Sequence, residues 1–138
     1  MTVKNAIWGD QRDSNNVACV AFTGEKCLSG SSNGKLFVWN IKNSIVENKK
    51  LHTGVIDTIF VSEKYILTGG RDMLVNVLDP ITLAVIFSVN LDKIENSVVA
   101  RPRAIDIDES GKYIVVGTFG CEVYHCGFNA VGKEFSKP

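Results

Sequence analysis

The sequence predicts an all-β fold, about three four-stranded blades of an incomplete β-propeller, and three observations predict it. A block recurs three times, as CLSGSSNGKLFVWN (27–40), ILTGGRDMLVNVLD (66–79) and IVVGTFGCEVYHCG (114–127), each an apolar strand, a glycine (Gly30, Gly69, Gly117), a short polar turn and an alternating strand. The copies recur at about 40 residues, the spacing of propeller blades, with the second interval longer than the first. Valine, isoleucine and phenylalanine dominate the segments between turns, and no long segment carries helical periodicity. With 138 residues the chain can bury one domain core, yet it is short for a closed propeller, which needs at least about four blades. The expectation is a fragment, a split gene product, or a chain that completes its ring with another copy.

The elements follow in order, with blades over 17–47, 55–89 and 103–138. First strands are VACVAF (17–22), VIDTIFV (55–61) and RAIDID (103–108), each followed by a hairpin turn, near Gly24, Glu63 and Gly111. The runs in blades one and two are apolar on both parities, which predicts sheets covered on both faces. The repeated block supplies the second and third strands. Fourth strands are SIVE (44–47), LAVIFSV (83–89) and a truncated GKEFSKP at the end. The extra residues of the second interval fall between Leu78 and Arg103, in or beside NLDKIENSVVARP.

The totals exclude several classes. Lys plus Arg equals Asp plus Glu, so no basic field points to nucleic acid or an anionic membrane. The segment MTVKNAIWGDQRDSNN lacks the apolar core of a signal peptide, and no apolar stretch is long enough to span a bilayer. The four cysteines, Cys19, Cys27, Cys121 and Cys126, lie in strand-like runs and read as reduced, packed thiols of a cytosolic chain.

Sharper chemistry fails on spacing. Asp106, Asp108, Ser110 and Gly111 imitate the start of a calcium loop, but the position of the bidentate glutamate holds Gly117. Gly30-Ser-Ser-Asn-Gly34-Lys35 is one residue short of a phosphate-binding loop, and Leu36 stands where a magnesium-binding hydroxyl is needed. Cys121, His125 and Cys126 lack zinc spacing, and an odd separation on one strand sends the two cysteines to opposite faces. No carboxylate pair forms an acid/base couple, so no catalytic residue, metal ligand or cofactor is assigned. Asp57 and Asp106 stand out inside apolar first strands, where an acid points to the channel or caps a turn. Arg101 and Arg103 open a strand and read as structural anchors. Lys42, Lys49 and Lys50 cluster near the loop between blades one and two as a candidate partner-binding patch.

Within the blades, Trp39-Asn40 and Leu78-Asp79 stand where the WD40 family places its Trp-Asp dipeptide, and His52 precedes a blade as that family's histidine does. The chain thus resembles a WD40 propeller. The resemblance implies a buried hydrogen-bonded network, with His52, Thr68 and Asp72 in blade two, where Leu78 replaces the tryptophan. In blade one it implies Ser29 and Trp39, with Asn33 for the aspartate. Val116, Gly120 and Cys126 keep none of it in blade three. NVACVAF (16–22), SSNGKLFVWN (31–40), LHTGVIDTIFVSEKYILTGGRD (51–72), RAID (103–106) and IVVGTFGCEVYHCGF (114–128) also run in an order similar to part of the first propeller of the echinoderm microtubule-associated-protein-like (EML) family. That resemblance implies non-catalytic binding to tubulin or microtubules, at the cytoplasmic cytoskeleton or the cilium. A generic WD40 scaffold in another assembly, such as a ubiquitin ligase or trafficking coat, is the alternative, and a propeller enzyme the rival from another class. Open blade faces at the two ends predict self-association or a partner chain.

Overall fold

Among the described residues eleven strands form three antiparallel sheets, arranged in sequence order like consecutive blades. The structure, a computed structural model, describes residues 16–40, 42, 45–93, 101–108, 110, 112–120 and 122–127. Sheet 1 comprises β1 (Val17–Thr23), β2 (Lys26–Ser31), β3 (Lys35–Asn40) and β4 (Ile45–Lys50). Sheet 2 comprises β5 (Ile56–Val61), β6 (Ile66–Gly70), β7 (Leu74–Leu78) and β8 (Val85–Asn90), which runs into a short 3-10 turn at Leu91–Lys93. Sheet 3 comprises β9 (Pro102–Ile107), β10 (Tyr113–Thr118) and β11 (Val123–Gly127). The expected last strand, GKEFSKP, lies outside the described residues, as do Gly111 and Cys121.

Alternation along each strand divides the sheets into two faces, and the register matches the faces up. Leu28, Leu36 and Val38 of sheet 1 pack with Ile56, Ile66 and Leu78 of sheet 2. The other face of sheet 2 gives Leu67, Val75, Val77, Phe87 and Val89 to a larger core with Ile105, Ile107, Ile114, Val116 and Tyr124 of sheet 3. Each such aliphatic side chain taken out of water stabilises the fold by about 1.5–3 kcal/mol. Sheet 2 is therefore covered on both faces, as expected of blade two. Sheet 1 departs from that expectation: Val20 and Phe22 are 66% and 71% exposed, because among the described residues nothing packs on the face turned away from sheet 2.

The first strand of each sheet passes next to its neighbour's, with β5 touching both β1 and β9. This packing explains two of the three recurring glycines. A side-chain carbon added at Gly30 would lie 2.8 Å from the Ile56 side chain of the next sheet, and one at Gly69 would lie 3.1 Å from Pro102. At Gly117 the nearest atom would be the Ala104 carbonyl oxygen at 4.0 Å. Two details shift from the sequence reading. β4 runs on to Lys50, past the expected end at Glu47, and part of the second interval's extra length sits in the β9–β10 hairpin rather than before β9.

Gly30→Ala is expected to cost about 1–3 kcal/mol by overpacking against Ile56, whereas Gly117→Ala in the same chain stays within about 0.5 kcal/mol. Urea midpoints of the two variants, measured on dilute protein, check this; equal losses would refute the packing account of the repeat.

Candidate functional site

Two polar constellations stand out, one buried and one at the rim. The buried one centres on His52, which is 2% exposed in the loop between β4 and β5. Its Nδ1 lies 2.9 Å from Asp72 Oδ1, and its Nε2 lies 2.8 Å from Thr68 Oγ1. With Nδ1–H donated to the carboxylate, Nε2 accepts the Thr68 hydroxyl proton. Asp72 also accepts the backbone N–H of Thr53 (2.9 Å) and of Leu74 (3.2 Å), closing the β6–β7 turn.

Asn76 joins the network and was missed by the sequence reading. Its side-chain amide donates to the Leu51 carbonyl at 3.2 Å and lies 3.4 Å from His52 Nε2, while Ser88 Oγ donates to Asn76 Oδ1 at 2.6 Å. The available signal was a lone asparagine inside the apolar run LVNVL, in a cross-strand row with Thr68 and Ser88. Leu78, at the place of the tryptophan, sits wholly in the apolar core between sheets 1 and 2.

In sheet 1, Trp39 Nε1 donates to Ser29 Oγ at 2.7 Å. Asn33 accepts the Ser31 hydroxyl proton and the Lys35 N–H, the latter at 3.3 Å, which organises the β2–β3 turn. Gly34 in that turn has φ +83°, and its carbonyl accepts the His52 N–H at 3.1 Å. A side-chain carbon there would fall 1.9 Å from the His52 carbonyl oxygen, so glycine is required twice over. Met73 takes the same position in the β6–β7 turn with φ +67° and carries the strain a side chain brings.

The rim constellation forms where each first strand begins. The register slips there in all three sheets, so that Ala18, Asp57 and Arg103 are bulged residues. A bulge re-aims its side chain. The same edge is stitched by one repeated bond: Ser32 N–H to Asn16 O, Arg71 N–H to Val55 O, and Phe119 N–H to Arg101 O. Arg101 grips Asp57 with two donors at 2.8 and 3.0 Å, and Arg71 approaches the same carboxylate at 3.6 Å. The Arg101 guanidinium lies over the Phe119 ring, 4.1 Å from its centroid, and that of Arg103 lies 5.1 Å from it.

The lysines expected to cluster occupy three environments. Lys42 pairs with Glu25 at 3.0 Å beyond β3, both side chains largely exposed, a contact worth little in water. At the far end of β4, Lys49 Nζ donates to the Leu83 carbonyl in the β7–β8 turn at 2.9 Å, and Lys50 Nζ donates to the Asn33 carbonyl.

The remaining sequence candidates serve turns and packing. Asp106 accepts its neighbour's N–H from Ile107, and Asp108 caps the β9–β10 hairpin. The Ser110 hydroxyl and the Tyr113 N–H hold the Asp108 carboxyl below the usual range. Burial pushes the Cys19 thiol up to about 11, and its Sγ donates to the Ile56 carbonyl at 3.3 Å, so it is a packing group rather than a nucleophile. Among the described residues no group of three or more His, Cys, Asp or Glu is placed to hold a metal ion. Two open clefts lie at the opposite edge, one between β1–β2 and β5–β6 and one between β5–β6 and β9–β10.

No family model matches the chain. It is similar in structure to a chain of the Mitotic Checkpoint Complex, with TM-score 0.71 at 13% identity over 90% of this chain and 37% of that one. It is similar to the β-propeller domain of Myceliophteria thermophila Cps50 (Swd1), also at TM-score 0.71, with 18% identity over 90% of this chain and 43% of that one. The chain thus spans less than half the length of these solved structures.

Asp72→Ala is expected to cost about 1–3 kcal/mol, because it leaves the part-buried Leu74 N–H and the buried His52 Nδ1–H without their acceptor. A denaturation midpoint equal to that of the unaltered chain would show that the network contributes nothing to stability.

Proposed function

We propose that the chain, a partial WD40-type β-propeller of three consecutive blade-like sheets, is a non-catalytic, protein-binding scaffold segment. One observation carries this: His52 is sealed inside a hydrogen-bonded network, whereas charged and aromatic side chains gather on the exposed loop edge. A group that is 2% exposed and bonded at both ring nitrogens is not available to a substrate, so it positions blades.

The finer reading rests on the order of the blocks quoted above, which resembles the EML family. It implies tubulin or microtubules as partner, with a cytoplasmic, cytoskeletal or ciliary location; Lys42, Lys49 and Lys50 are offered as contacts for their charge alone, Lys42 before β4 and Lys49 and Lys50 at its far end. On this reading the chain co-sediments with microtubules in a salt-sensitive manner, and a triple Lys→Glu variant loses at least about tenfold in affinity. Absence of co-sedimentation would leave a scaffold for some other assembly.

Self-association belongs to the same proposal. The open face of sheet 1 (Val20, Phe22, Phe37, Trp39) matches in strand position the face that sheet 2 lays on sheet 1. The face of sheet 3 that the described residues leave uncovered (Val115, Val123, Gly117) matches the face that sheet 2 lays on sheet 3. Two copies therefore meet head to tail, a heterologous contact. Light scattering is expected to show a mass above the monomer that falls towards it in Phe22→Glu; a monomer at all concentrations would refute the contact.

A further inference from the structure

The rim holds more positive charge than the described residues neutralise. Arg71 and Arg101 share a single carboxylate, that of Asp57, whose side chain is 10% exposed and occupied by Arg101 on both oxygens. Arg71 remains half-exposed and only grazes the same carboxylate at 3.6 Å. Arg103 is exposed, and among the described residues it pairs with no acid, resting instead on Phe119. Phe119 is itself 42% exposed, an apolar ring held at the centre of the patch by the backbone bond from its N–H to Arg101 O.

The parts are preorganised rather than merely close. Asp57 and Arg103 are bulged residues at matching positions of β5 and β9, and Arg71 and Phe119 are the first residues of matching turns. The Arg101–Asp57 fork, buried on its acid side, fixes the rim between sheets 2 and 3. An arginine held in place loses less freedom when it pairs with a carboxylate, and its planar fork suits that group.

We infer that Arg71, Arg103 and Phe119, braced by the Arg101–Asp57 pair, form a docking site for an acidic peptide segment, whose Asp or Glu carboxylates take the two guanidiniums while an apolar side chain covers the ring. The site rests on the protein-binding reading above and names the chemistry of the partner. A peptide fits better than nucleic acid because the charge is local: the chain as a whole carries none, and a carboxylate stands inside the patch.

The test is fluorescence anisotropy of a labelled oligo-glutamate peptide titrated with the full chain, beside an oligo-glutamine peptide and a single-stranded DNA oligonucleotide. The expected result is salt-sensitive binding of oligo-glutamate alone. It weakens about tenfold or more in Arg71→Gln/Arg103→Gln, less in Arg103→Lys, and is unchanged in Lys64→Gln at the opposite edge. Both arginines are solvent-facing, and an unaltered urea midpoint confirms that the double variant folds. No binding of oligo-glutamate, equal binding by the double variant, or preference for DNA would overturn the site. A chain that ignores oligo-glutamate yet co-sediments with microtubules refutes the rim and leaves protein binding standing. Rim-dependent peptide binding without co-sedimentation refutes the tubulin assignment alone.

Discussion

His52 is held from two sheets at once, and the arrangement of the first two blades depends on it. Its backbone N–H reaches Gly34 in the β2–β3 turn of sheet 1, while its ring is locked by Asp72 and Thr68 of sheet 2. The apolar side chains between the sheets supply the larger free energy, since each is worth about 1.5–3 kcal/mol against about 0.5–1.5 kcal/mol for a hydrogen bond. Burial has no direction, however, and would tolerate a slide of one sheet over the other. The polar links do not, because a shift would leave buried donors and acceptors without partners. Area holds the sheets together, and the His52 network decides where.

The same repeat that fixes the interior also builds the rim. One bulge and one turn-to-strand hydrogen bond recur in all three sheets, so the backbone delivers equivalent positions to one edge whatever side chains they carry. In sheet 1 those positions hold Ala18 and Ser32; in sheets 2 and 3 they hold Asp57, Arg71, Arg103 and Phe119. The charge therefore concentrates on one side of the loop edge, through side chains placed on a common frame rather than through a separate loop built for binding.

The interior was legible in the sequence to the extent that it repeats. Gly30, Gly69 and Gly117 marked the second strands because a neighbouring strand approaches too closely at Gly30 and Gly69 for any side chain. His52, Thr68 and Asp72 stood out through the WD40 resemblance, and the structure puts the His52 ring within 3 Å of both Thr68 and Asp72. Asn76 did not stand out, because its partners depend on cross-strand register, which a pattern of single letters does not reveal. The rim was half visible. Asp57 was conspicuous as an acid in an apolar strand, but its partner Arg101 comes from another sheet, and only the bulges bring the two together. The both-sided burial expected of β1 failed because the pattern reports which faces are apolar, not which are covered.

Comparing the three repeats separates two kinds of constraint. Where a neighbouring strand's side chains press against the second strand, the residue type recurs, as at Gly30 and Gly69. Where a side chain points outward from the common edge, the type changes from blade to blade. Such change is what a scaffold needs if each blade is to contribute a different contact: the shared bulge and turn-to-strand bond keep the frame the same, and divergence at Ala18, Asp57 and Arg103 alters what it presents without altering the fold. On the protein-binding reading, specificity resides in positions whose geometry is set by the repeat and whose chemistry is not, which is why the rim and not the histidine network is the place to look for a partner.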